Sequence, residues 1–114
     1  MRRLEKIDKP WGFEKIWAFS NRNDGYAGKI IHINSGHRLS LQKHQKKEET
    51  ILVISGTLEL ILENGTVYLS EGDFFHIAPG LVHRFSASEG DCIIVEVSTK
   101  ELDDVVRLED DYGR

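Results

Sequence analysis

No stretch of ten or more residues in this 114-residue chain carries an apolar stripe at helical spacing. Short runs rich in β-branched and aromatic residues alternate instead with Gly, Asn, Asp and Ser punctuation. Strands are expected at Phe13–Phe19, Lys29–Ile33, Leu39–His44, Thr50–Ile54, Thr57–Leu62, Thr66–Leu69, Phe74–Ile77, His83–Ser86 and Cys92–Val97. Leu58, Leu60 and Leu62 alternate with Glu59, Ile61 and Glu63, and Asn64-Gly65 then signals a two-residue hairpin, since both positions tolerate positive φ. Such close spacing favours an all-β barrel or sandwich over βαβ units, and residues 1–114 fit one domain. Leu102–Leu108 has the length for one or two helical turns with Ser98 or Thr99 as a cap, and the acidic tail 109–114 reads by composition as a frayed end.

A net charge of −4 argues against a nucleic-acid surface. Lys43, Lys46 and Lys47 cluster beside Glu48 and Glu49, and such a charge run reads as a solvated loop face. The single cysteine, Cys92, excludes an internal disulfide and is expected to behave as a small buried hydrophobe. No segment is apolar enough to span a membrane, and the basic start at Met1 lacks the apolar core of a signal peptide. A cytoplasmic protein is expected.

One constellation points to chemistry. Gln42 and His44 are two apart, so on a strand they share a face. Glu49 opens the next apolar run, and His83 follows the Pro79-Gly80 turn. Each residue alone has an ordinary structural explanation. Together, between Gly36, Gly56, Gly72 and Gly80, they are expected to form a metal site of two imidazoles, a carboxylate and an amide oxygen. Without sulfur, such a set suits a divalent zinc, manganese, iron, cobalt or nickel ion and leaves room for substrate oxygens.

These motifs resemble the paired motifs of the cupin superfamily, with Gln42 standing where most cupins have their first histidine. Leu39-Ser40-Leu41-Gln42-Lys43-His44 is similar to a segment of type II mannose-6-phosphate isomerases, the C-terminal domain of bifunctional mannose-1-phosphate guanylyltransferase/isomerase enzymes. Lys9-Pro10-Trp11-Gly12 with Glu14, Ser35-Gly36-His37-Arg38-Leu39-Ser40, Val53-Ile54-Ser55-Gly56-Thr57 and Asp103 to Arg114 extend the likeness along nearly the whole chain. The resemblance implies a cupin-type jelly roll of two antiparallel sheets, zinc as the preferred metal, and a phosphorylated sugar as ligand. No Gly-rich nucleotide loop occurs in these residues, so GDP-mannose synthesis is not expected. Gln45-Lys46-Lys47 replaces a histidine-rich stretch, Ala78 replaces a proline, and His76 stands where tyrosine is common, which leaves the sugar open.

Lys29 shares strand parity with Ile31 and Ile33, so either it faces inward and needs an anionic partner or it snorkels out at a strand end. The resemblance, which has lysine here too, favours the first. Arg38 shares the parity of Gln42 and is expected near the barrel mouth. Arg84 follows His83 and so faces the other way, in a structural or interface role. Arg107 and Arg114 read as surface charges. The resemblance implies that the tail folds over the mouth and offers an arginine to phosphate, a group that guanidinium fits well. Trp11, Phe13, Trp17 and Phe19 share one parity and are expected in the core or a dimer contact. His32 and His37 do not fit the ligand spacing.

The resemblance implies sugar-phosphate aldose–ketose isomerisation, on mannose 6-phosphate and fructose 6-phosphate or a related pair. Its general base is open among Lys29, Glu49 and His76. A non-catalytic sugar-binding or regulatory cupin is the alternative, and an iron(II) dioxygenase built on His44, Glu49 and His83 a further one. Exposed sheet edges suggest a homodimer.

Overall fold

The structure, a computed structural model, describes residues 5–114. The basic start, Met1 to Leu4, lies outside the described residues. The strands are β1 (Glu5–Lys9), β2 (Gly12–Phe19), β3 (Tyr26–Ile33), β4 (His37–Arg38), β5 (Leu41–Lys43), β6 (Glu49–Ser55), β7 (Leu58–Leu62), β8 (Gly65–Leu69), β9 (Phe74–Ile77), β10 (His83–Ala87), β11 (Cys92–Thr99) and β12 (Val106–Glu109). They form two six-stranded sheets. The first runs β1-β2-β3-β11-β6-β9, the second β12-β5-β10-β7-β8 with β4 beside β10. All these pairings are antiparallel. No helix among the described residues is long and apolar enough to cross a membrane.

Alternation fills the space between the sheets. The first sheet sends in Ile31, Ile33, Ile51, Val53 and Ile94, and the second sends in Leu58, Leu60 and Phe85. Cys92 is buried among them, as expected. Gly56 ends β6 at φ 81°, and a Cβ there would come within 2.3 Å of the Asp91 carbonyl oxygen, so the turn admits glycine alone.

Four expectations change. The hairpin tip lies one residue earlier than Asn64-Gly65. Leu62 pairs with Gly65, and the glycine takes its φ of 146° as the first residue of β8. The strand expected over Leu39–His44 divides into β4 and β5. Leu102–Leu108 is not helical. Tight turns, such as Leu102 N–H donating to the Lys100 carbonyl at 2.8 Å, lead into β12, which covers the edge of β5. β12 therefore blunts an edge that would otherwise stand open. In β2 an irregularity between Ile16 and Ala18 breaks the expected parity. Trp11 is core, whereas Trp17 and Phe19 are about half exposed, at 45% and 50%.

Candidate metal centre

The four proposed ligands come from both sheets. Glu49 opens β6 in the first sheet, while Gln42 is central in β5 and His83 opens β10 in the second. His83 pairs directly with Gln42. His44 follows β5, and its carbonyl accepts the Gly80 N–H at 2.7 Å, which ties the turn before His83 to the first ligand segment. Gly80 allows this turn at φ 85°.

His44, Glu49 and His83 are 3%, 2% and 0% exposed, and one donor atom from each lies within 4.8 Å of the others. His44 Nδ1 donates to the Asp104 carbonyl at 2.6 Å, and His83 Nδ1 donates to the Leu81 carbonyl at 2.9 Å. A carbonyl only accepts, so both Nδ1 atoms carry protons and both Nε2 lone pairs face the cluster. Each Nε2 is 3.5 Å from Glu49 Oε1. Neither Nε2 nor Glu49 Oε1 has a hydrogen-bond partner among the described residues. Unpaired buried acceptors converging in this way cost stability, and a cation relieves that cost. The donor set fits a divalent metal. Gln42, 8% exposed, accepts from Ser40 Oγ at 3.4 Å and lines the same cavity.

Lys47 corrects the solvated-loop expectation. It is 4% exposed, with Nζ 3.1 Å from Glu49 Oε2 and 3.0 Å from Glu96 Oε2. Burial disfavours its charge, but the Glu96 and Glu49 carboxylates outweigh burial and raise its pKa above the ordinary lysine value. Burial alone would also raise the Glu49 carboxyl. The Glu96 carboxyl and the Lys47 charge oppose burial, and the Glu49 carboxyl lies well below the usual carboxylate range. Glu96 goes the other way, pushed up to about 8 by burial and by the neighbouring Glu49 charge.

The cluster opens on a cavity of about 320 Å³. Lys29 lines it, 8% exposed, and donates to both Glu14 carboxylate oxygens at 3.4 and 3.3 Å. The anionic partner expected for an inward lysine is therefore supplied by the chain itself. Arg107 and Arg114 also line the cavity from the C-terminal segment. Arg114 is engaged by Asp110, through Nε at 3.2 Å and Nη2 at 3.2 Å.

Two candidates are not brought there. Arg38 turns outward and pairs with Asp111 through Nε at 2.6 Å and Nη2 at 3.1 Å. His76, on β9, is 54% exposed and contacts Glu48 rather than the cavity. Arg84 is buried and structural, its Nε donating to the Leu39 carbonyl at 2.8 Å. His32 contacts Asp91 and His37 donates to the Ser35 carbonyl, so neither joins the cluster.

Glu14, Lys47 and Glu96 line the cavity and were not anticipated as site residues, Glu14 having stood out only as part of the family-like opening segment. Glu96 had a signal, since it shares parity with Cys92 and Ile94 on β11. Lys47 had none, being embedded in a run of charge.

The chain matches the family model described as mannose-6-phosphate isomerase C-terminal over residues 1–110. It is 34% identical over 114 residues to the alginate biosynthesis protein AlgA of Pseudomonas aeruginosa, covering 96% of this chain and 23% of that protein. It is 32% identical over 114 residues to the mannose-1-phosphate guanylyltransferase of Escherichia coli, with coverage of 96% and 23%. The chain thus spans about a quarter of the length of these curated relatives. In fold it is similar to an RmlC-like cupin from Shewanella frigidimarina, with a TM-score of 0.76, 16% identity, and coverage of 90% of this chain and 88% of that one.

Proposed function

This chain belongs to the mannose-6-phosphate isomerase C-terminal family, and we propose from that premise that it is a metal-dependent sugar-phosphate aldose–ketose isomerase. Mannose 6-phosphate and fructose 6-phosphate, or a closely related pair, are its substrates. The observation that carries this is the buried His44–Glu49–His83 cluster beside a cavity that also holds Lys29, Arg107 and Arg114.

Gln42, His44, Glu49 and His83 hold the metal in this proposal, with zinc first and manganese, iron, cobalt or nickel as alternatives. A bound divalent cation supplies positive charge where the carbonyl oxygen becomes anionic. The chain's own residues handle the rest. In the aldose-to-ketose direction the proton leaves C2 for a base and is returned to C1. With His76 outside the cavity and Glu49 committed to the imidazoles, the Glu14–Lys29 pair takes this role. Glu14 accepts the proton, and Lys29, donating to both of its carboxylate oxygens, holds it in place. Arg107 and Arg114 receive the phosphate. Arg38, tied to Asp111 outside the cavity, is not included.

A coupled assay across a panel of sugar phosphates, on metal-stripped protein with each metal restored, tests the reading. Metal-restored turnover that disappears in Glu14→Gln and His83→Ala is expected. Saturable phosphosugar binding without turnover on any substrate would instead establish the non-catalytic sugar-binding cupin. The two-histidine, one-carboxylate set also suits iron(II) oxygen chemistry, and iron-dependent oxygen consumption would move the assignment there. A homodimer and a cytoplasmic setting complete the proposal; monomeric sedimentation would remove the former.

A further inference from the structure

We propose that Asp104 is a positioning residue for the metal centre, so that the C-terminal segment helps to build the site. The inference rests on the metal-site reading but not on isomerase activity. The Asp104 carboxylate accepts three consecutive backbone N–H groups, from Gln45 to Oδ1 at 3.1 Å and from Lys46 and Lys47 to Oδ2 at 2.7 and 2.9 Å. Those residues are the link between His44 and Glu49. Successive N–H groups converging on one point form an anion-binding nest, and here the chain fills it with its own carboxylate. The main-chain oxygen of the same residue accepts from His44 Nδ1 at 2.6 Å. One residue thus orients the first imidazole and fixes the segment that leads to the carboxylate ligand.

Thr99 reinforces the link. Its Oγ1 accepts the Glu48 N–H at 3.1 Å, and its own N–H donates to the Glu48 carbonyl at 3.0 Å. From Lys46 to Glu48 the backbone N–H groups before Glu49 are therefore held from the C-terminal side. In Lys47 this segment also carries the ammonium that holds Glu49 Oε2. Partners that orient metal ligands are worth about ten- to a hundredfold in metal affinity.

The test measures the zinc dissociation constant of the full chain by competition with a chromophoric chelator, for wild type, Asp104→Ala and Asp104→Asn. Thermal unfolding of each metal-free protein is measured alongside. Asp104→Ala is expected to weaken zinc about tenfold or more. Asp104→Asn keeps the shape and one acceptor oxygen, so its loss should be smaller. It also serves if the alanine variant fails to fold. A folded variant with wild-type zinc affinity overturns the inference, even if its unfolding temperature has fallen, because a purely structural role would do only that. Wild-type protein that takes up no zinc, manganese or cobalt overturns the metal-site reading as well. Isomerase activity enters neither outcome.

Discussion

Glu49 shows how one carboxylate is divided between two tasks. Oε1 faces both imidazoles at 3.5 Å, while Oε2 is held 3.1 Å from the Lys47 ammonium. Removing that ammonium leaves Glu49 and Glu96 facing each other, 2% and 3% exposed, with no cation between them. Breaking a buried ion pair from one side costs about 3–5 kcal/mol. Lys47→Met should lose that much in urea unfolding of the metal-free protein, and Lys47→Met with Glu96→Gln should recover part of it. A loss below about 1 kcal/mol in the single variant would mean that water already solvates the pair, as exposed pairs allow. At this scale the His44–Glu49–His83 cluster was legible because metal chemistry restricts both residue type and spacing. The ions around it were not, since nothing local separates Lys47 from its exposed neighbour Lys46.

The C-terminal segment is an element whose role sequence composition hides. Its apolar positions, Val105, Val106 and Leu108, suit a helical turn as well as a strand. The free edge of β5, a tertiary feature, decides the outcome. The same applies to β1, whose Lys6, Asp8 and Lys9 resemble a loop until β2 provides a partner. The β7–β8 hairpin was legible to within one residue of its tip because its alternation is local, while the exact turn position is fixed by the pairing of Leu62 with Gly65. Three aspartates fasten the C-terminal segment. Asp104 is lowered below the usual carboxylate range chiefly by the Lys46 and Lys47 N–H groups, Asp110 by Arg114, and Asp111 by Arg38. A carboxylate with a lowered folded pKa stabilises above its unfolded value, here 3.8, and that stabilisation is lost as pH falls through the folded pKa. Below about pH 3.8 the segment should therefore loosen. Hydrogen exchange of its amides should accelerate on acidification before that of β3 and β11. Uniform acceleration across the chain would show that segment and barrel open together.

Across the whole molecule, the cluster sits where the sheets meet. Glu49 belongs to the first sheet and His83 to the second, with His44 on the segment that passes from β5 to β6. A cation held by these residues ties the two sheets together in the folded state alone. The unfolded chain has no preformed set to offer, so metal binding adds directly to folding stability. At a free metal concentration a hundred times the dissociation constant the gain is about 2.7 kcal/mol. For a domain of this size that corresponds to a rise in unfolding temperature on the order of ten degrees. The expected result is a zinc-dependent rise in the wild-type protein, reversed by a chelator and lost in His83→Ala. His83 is suited to the control because its ring is fully buried between Phe85 and His44, so the metal-free variant reports the packing loss separately. If zinc raises the unfolding temperature of His83→Ala as much as that of wild type, the ion binds elsewhere. The link between the sheets would then come from packing alone.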